Sequence, residues 1–338
     1  QTWRVWGQYS SNDTWVSDEV TFTVNSGNAD KFTEVDPLVW QTDVAELLSV
    51  DNKSDFDTRQ QEAINFIWKE EQSLPTRQGT VQRDISDSDM PTLDFSTLPN
   101  VSQVDEITVE SELSTSNKVY WIKNSNPKDK LFIWSQGHSG DFSTGGGRET
   151  IERALSNGYD VLGVHMPLES ENTGDYTDHN DLADERNSTF EPLKLFLDQY
   201  SVALNRVEEE DNGYKLEAMA GLSGGGWATT VYPSVDNRID RVYPVAGTYP
   251  LYINGTDIAP YGNGGDYEQG RQFGGNNPLA NEFYNGNLVS YLDFYVMGGQ
   301  GEGDKMMQIN NRDDSCCFWG VPYKTYLDPF RQGPDDVF

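Results

Sequence analysis

The sequence predicts an α/β fold, a mostly parallel sheet with helices on both faces, preceded by the closing strands of a β-sandwich module. Three observations carry this. Residues 3 to 24 alternate apolar and polar around an Asn12-Asp13 turn, the period-2 signature of a hairpin. From Val104 onward, short and almost continuously apolar runs alternate with helix-length segments, the rhythm of strands buried on both faces. Between the two lies a stretch whose apolar residues, Val44, Leu47 and Leu48 and then Ile64, Ile67 and Trp68, recur at helical spacing.

Taken in chain order, a two-stranded hairpin is marginal in water on its own. Residues 1–26 are therefore expected to complete an immunoglobulin- or fibronectin-like sandwich whose other strands precede Gln1, where further domains or subunits would lie. Residues 27–103 read as a helical connector followed, from about residue 76, by an extended polar linker with Pro91 and Pro99. In residues 104–338 a hairpin at the sheet edge, Ile107 to Leu113 and Lys118 to Lys123, comes first. Strands follow at Leu131 to Trp134, Tyr159 to Val164, Leu216 to Ala220, Val242 to Ala246 and Met306 to Asn310. Helices are expected around Arg148 to Ser156, Glu191 to Val207 and from Trp227. Parallel neighbours require crossovers, so this order gives a doubly wound sheet. A Gly-, Asn- and Tyr-rich insertion between Gly247 and Gly286 has the composition of a lid or substrate loop.

Composition narrows the function. With 24 basic and 55 acidic residues the formal charge is -31, which repels nucleic acid and anionic membranes. The acidic residues are dispersed, suiting a solvated surface in a saline or extracellular setting, on a cell or a virion. There is no run of 18 apolar residues, so membrane insertion is not expected. The start, Gln1-Thr2-Trp3-Arg4, has neither a signal peptide's pattern nor an initiating Met, and a processed or truncated end is expected there. The two cysteines, Cys316 and Cys317, are adjacent and cannot staple distant segments; packed free thiols are expected, with a strained vicinal disulfide as the alternative.

The chemistry concentrates at Gly221-Leu222-Ser223-Gly224-Gly225-Gly226-Trp227. A strand runs into it and a helix-compatible stretch follows, the context in which G-x-S-x-G presents a nucleophilic serine on a strained turn. Gly221 and Gly225 leave the room that turn needs, and the helix start after Ser223 offers N–H groups to an oxyanion. A phosphate-binding loop would need Gly-Lys-Ser/Thr, and a dinucleotide site G-x-G-x-x-G with a later acidic partner; neither fits. A second oxyanion donor is expected after an upstream strand, where Gln136-Gly137-His138-Ser139-Gly140 lies. The donors would be the backbone N–H groups of His138 and Gly224, with the His138 side chain orienting its loop. The strand Met306 to Asn310 leads to Asp313 and Asp314, and Asp314 is the expected triad acid.

The three histidines, His138, His165 and His179, all precede Ser223, whereas this chain order places the base after the acid. A histidine beyond residue 338 is therefore expected. The alternative is a non-catalytic surface or virion protein that uses the scaffold for recognition.

These segments together resemble a family of uncharacterised bacterial α/β-hydrolase-like, serine esterase-like proteins. The likeness runs from about Val104 to Phe338. It is carried by Gly137-His138-Ser139-Gly140, His165-Met166-Pro167-Leu168, the elbow around Ser223, Gly265-Asp266-Tyr267-Glu268-Gln269 and Asp314-Ser315-Cys316-Cys317-Phe318. The resemblance implies Ser223 as nucleophile, Asp314 as acid and an Asp-x-x-His-type ending, which this sequence does not contain. A serine esterase with no metal or organic cofactor is the leading expectation, with a peptidase or lipase left open; the substrate is expected to be a small-molecule ester or, by analogy with a chain fused to a β-sandwich, a polysaccharide-linked one.

Overall fold

In the computed structural model, the described residues are 2–9, 14–21, 35, 39–90, 92–138, 140–211, 213–254, 267–270, 282–284, 288–299, 305–314 and 318–331. Their strands are β1 (Thr2–Tyr9), β2 (Thr14–Thr21), β3 (Thr80–Gln82), β4 (Val101–Glu110), β5 (Ser116–Asn124), β6 (Lys130–Ser135), β7 (Asp160–Val164), β8 (Leu216–Leu222), β9 (Arg241–Val245), β10 (Lys305–Met306) and β11 (Ile309–Asn311). All belong to one sheet of order β2-β1-β11-β9-β8-β6-β7-β5-β4-β3, with β10 also on β9. The centre, β11-β9-β8-β6-β7, is parallel. Antiparallel strands flank it on both sides. This is the mostly parallel sheet that the alternation of short apolar runs and helical segments predicts.

The principal helices are α1 (Lys53–Ile67), α2 (Gly147–Ser156), α3 (Leu193–Asp211) and α4 (Gly224–Val235). The sheet divides the core into two layers. On one face α1, α3 and α4 pack on Val119, Trp121, Leu131, Ile133 and Met219. On the other, α2 packs on Tyr120, Ile122, Trp134, Val161 and Ala220. Tyr120 and Ile122 thus face opposite to Val119 and Trp121, as the period-2 alternation of a strand buried on both faces requires. Helix α1 starts where Asn52 Oδ1 accepts from the N–H groups of Ser54 and Asp55, at 2.9 and 3.1 Å, an N-cap that satisfies two otherwise orphaned donors.

Two segments sit differently from the sequence-based expectation. The hairpin β1–β2 forms, but β1 pairs antiparallel with β11, Trp3 opposite Asn311 and Val5 opposite Ile309. It therefore extends the main sheet where the sequence suggests a separate sandwich. Residues 76–100, polar enough to read as a linker, are built into the main body. They supply edge strand β3, and Ile85, Met90, Leu93 and Leu98 are buried beneath the α2 face. Single apolar anchors in irregular chain leave no period in the sequence. Most of the 247–286 insertion, and Ser139, Cys316 and Cys317, lie outside the described residues. Among the described residues, no helix is long and apolar enough to cross a membrane.

Candidate active site

Strand β8 ends at Leu222 and α4 begins at Gly224, so one residue, Ser223, makes the whole turn. It does so at φ 56° and ψ -118°. Other non-glycine residues here also have positive φ, but this ψ lies far from the left-handed well near about +47°. Such a conformation is costly for a residue with a Cβ and persists only where the surroundings fix it. They do: the Ser223 N–H donates to Val245 O of β9 at 2.9 Å, and its carbonyl accepts from Trp227 N–H at 2.9 Å. Ser223 itself is half-buried, so the hydroxyl is not sealed in packing.

The glycines around it are required by close approach. A Cβ on Gly221 would stand 2.3 Å from Gly225 O, and one on Gly225 would stand 2.1 Å from Ser135 O. The first turn of α4 thus lies directly on the end of β6, which no larger residue permits. The loop leaving β6 is equally tight: a Cβ on Gly137 would stand 2.5 Å from Leu222 O, 2.9 Å from Ser223 Cβ and 3.4 Å from Gly224 N. The loop after β6, where the sequence leads one to expect an oxyanion donor, therefore abuts the turn at Ser223. The start of α4 contributes the partial positive charge of a helix N-terminus beside the same hydroxyl.

Asp314 follows β11, and because β11, β9 and β8 are parallel, its loop leaves the same end of the sheet as Ser223, two strands away. Its N–H donates to Asn311 O at 3.1 Å and the residue is half-buried. Its neighbour Asp313 is engaged with the Arg312 guanidinium at 3.0 Å.

The histidines divide. His165 is buried, stacked on Phe142 with ring centroids 3.8 Å apart, and its Nδ1 lies 3.1 Å from Glu171 Oε2. His138 turns its ring toward the elbow, where a Cβ on Gly224 would stand 2.6 Å from Nδ1. Its Nε2 is 3.1 Å from His179 Nδ1 and 3.0 Å from Glu268 Oε1. His179 Nδ1 lies 3.5 Å from Glu268 Oε2, and its Nε2 is 2.6 Å from Pro167 O. Burial alone would raise the Glu268 carboxyl, but the two imidazoles outweigh it and hold the group at about 2. Burial would lower His179, and the adjacent Glu268 carboxylate reverses that and raises it.

This His138–His179–Glu268 cluster is absent from the sequence-based site. Glu268 lies in a segment the sequence singles out, Gly-Asp-Tyr-Glu-Gln, but without a role. His179 falls in a polar connection that gives no sign of its partner. Their meeting is a long-range product of the fold. Turn Tyr267–Gln269 is held by Tyr267 Oη donating to Glu191 Oε1 at 2.6 Å, Tyr284 Oη donating to Glu268 O at 2.6 Å and Tyr291 Oη donating to Gln269 O at 3.0 Å. Trp227, fully buried in α4, donates from Nε1 to Tyr284 Oη at 3.1 Å, which links the turn to the helix that carries the elbow.

No family model matches the chain, and no curated protein does. Solved structures that align with the chain include the Pyrococcus furiosus esterase Pf2001 in one crystal form, at 18% identity over 54% of this chain and 60% of that one, TM-score 0.36. Another crystal form of the same esterase aligns at 14% identity over 78% and 86%, TM-score 0.46. Acetyl xylan esterase 1 from Thermoanaerobacterium aligns at 13% identity over 75% and 79%, TM-score 0.47. In the first of these alignments the chain spans less than two thirds of the esterase's own length. The functional reading rests on the site's own geometry.

Proposed function

We propose that this chain is a serine hydrolase of carboxylic esters, small-molecule or polysaccharide-linked, with Ser223 as its nucleophile. The observation that carries the reading is the backbone of Ser223, at φ 56° and ψ -118° between a central parallel strand and a helix N-terminus. A serine with only a packing role gains nothing from so costly a turn. In the proposed reaction Ser223 Oγ attacks the ester carbonyl and passes its proton to a histidine oriented by Asp314. The oxyanion of the tetrahedral intermediate is received by the N–H groups of Gly224 and His138, whose loops are in contact. Collapse of the intermediate expels the alcohol, which takes the proton back, and water then releases the acid by the same route.

The test is covalent labelling of the folded protein by a fluorophosphonate probe, with Ser223→Ala as control. Labelling confined to Ser223 is expected. A folded full-length protein that does not label overturns the enzyme reading and leaves that of a recognition protein on a hydrolase scaffold.

A further inference from the structure

We propose that His138, His179 and Glu268 form a binding site for one divalent transition-metal ion of the zinc class, one imidazole away from the nucleophile elbow. The proposal does not rest on the esterase reading: it uses the His138 imidazole, whereas that reading uses the His138 main-chain N–H.

The first argument is convergence. The three candidate ligand atoms lie within 4.8 Å of one another. The closest separations are 3.1 Å between the imidazole nitrogens, 3.0 Å from His138 Nε2 to one Glu268 oxygen, Oε1, and 3.5 Å from His179 Nδ1 to the other, Oε2. With metal–ligand bonds of roughly 2.0–2.1 Å, the edge of a tetrahedron is about 3.3 Å. The three separations bracket that value, so one ion can reach all three residues with little movement of their backbones.

The second argument is a shortage of donors. Glu268 is fully buried and His179 nearly so. Both carboxylate oxygens lie close to imidazole nitrogens, yet both remain buried without a well-formed hydrogen bond. Among the described residues, no lysine or arginine pairs with Glu268; its ion-pair partners are the two histidines. With His179 Nε2 donating to Pro167 O, neutral His179 presents a lone pair at Nδ1. Two carboxylate oxygens and that lone pair then face one region with at most the His138 Nε2 proton between them. A buried carboxylate so placed calls for positive charge, and a cation at the point of convergence supplies it.

The third argument lies behind the ligands. A metal-binding histidine characteristically donates its other ring N–H to a carbonyl or carboxylate, which fixes tautomer and ring plane. The contact of His179 Nε2 with Pro167 O is that arrangement, and Glu268 is held by its own main chain through Tyr284 Oη. Two imidazoles and one carboxylate are a borderline donor set that suits zinc and leaves a fourth position for water. The resemblance in the sequence implies no metal; His138, His179 and Glu268 come from separate segments of the chain.

The test uses the full chain stripped of metal by chelator, its fold checked by circular dichroism. It is titrated with Zn2+ against a chromophoric chelator, and with Co2+ while the visible d–d bands of a low-symmetry site are followed. One ion per chain is expected, with Co2+ bands displaced by Zn2+. In His179→Ala and Glu268→Gln the affinity should fall at least about tenfold, while Ser223→Ala should bind as the parent does. Should either ligand variant fail to fold, the parent's Co2+ spectrum still decides the matter through its intensity and its displacement. A folded parent that binds no stoichiometric ion, or ligand variants that bind as well as the parent, would overturn the site and leave the cluster held together by protons.

Discussion

Gly137 and Ser223 approach so closely that a Cβ on the glycine would stand 2.9 Å from the Cβ of the serine, and 2.5 Å from Leu222 O. The loop after β6 and the turn after β8 are thus two sides of one contact, and any side chain at residue 137 must push them apart. Gly137→Ala is expected to cost on the order of 1–3 kcal/mol in stability. It should also slow fluorophosphonate labelling of Ser223 by about 100-fold, the loss that follows when one oxyanion donor is displaced. Thermal denaturation and labelling kinetics check the two effects separately. Labelling at the parental rate would show that the loop's N–H does not serve the oxyanion.

The strain at Ser223 gives a second expectation, free of any assumption about substrate. Its positive φ is costly only because a Cβ is present. Ser223→Ala keeps the Cβ and so keeps the strain, whereas Ser223→Gly removes it. Both variants should fail to label, but the glycine variant should exceed the alanine variant by about 1 kcal/mol, after the larger entropy that glycine loses on folding. Chemical denaturation of the pair measures this directly, and equal stabilities would mean that the turn is unstrained.

The central strands and the tight turn at Ser223 were legible in the sequence because their signals are carried by neighbouring residues. Val119 to Ile122 alternate between the two cores, and Gly221 to Gly225 carry the turn's motif in five consecutive residues, although the strands that press on it come from elsewhere in the chain. Asp314 could be placed because parallel strands deliver their following loops to one end of the sheet. What the sequence does not carry is partnership across the fold. Nothing near His179 announces Glu268, and the two meet where the Tyr267–Gln269 turn is tied to Glu191, to Tyr291 and, through Tyr284 and Trp227, to α4. Nor does a hairpin's alternation say which sheet it joins, since pairing of β1 with β11 uses main-chain groups common to every residue.

Glu217 gives a pH-dependent expectation. On β8, four residues before Gly221, its side chain is buried, and burial first and the nearby Glu208 charge second push its carboxyl up to about 8. Its Oε2 has no hydrogen-bond partner. The folded chain therefore keeps this proton to higher pH than the unfolded chain, whose carboxyl titrates near 4.5. Stability contributed here is full below about 4.5 and declines as pH rises toward 8, because folding then either retains a proton or buries a charge. Glu217→Gln should flatten that decline and gain roughly 2–4 kcal/mol over the parent at pH 8 relative to pH 4.5. Urea denaturation at the two pH values tests it; parallel curves for parent and variant would mean that the carboxylate finds solvent.

The last expectation separates two adjacent acids. Asp313 is engaged with Arg312 on its own turn, so Asp313→Asn removes a partly exposed pair of small worth and should leave ester turnover within a few-fold of the parent. Asp314 is the proposed partner of the base, and Asp314→Asn would present an amide N–H where the histidine's own N–H must be accepted, favouring the wrong tautomer. In a triad that exchange lowers kcat by about 10,000-fold while the fold is preserved. The two variants differ from the parent by the same isosteric change one residue apart, so a structural effect of lost charge should touch both alike. A large fall in kcat for Asp314→Asn alone, with KM little changed, is the expected result. Equal effects, or a larger one at Asp313, would move the acid off Asp314, while Ser223 labelling would still report independently on the nucleophile.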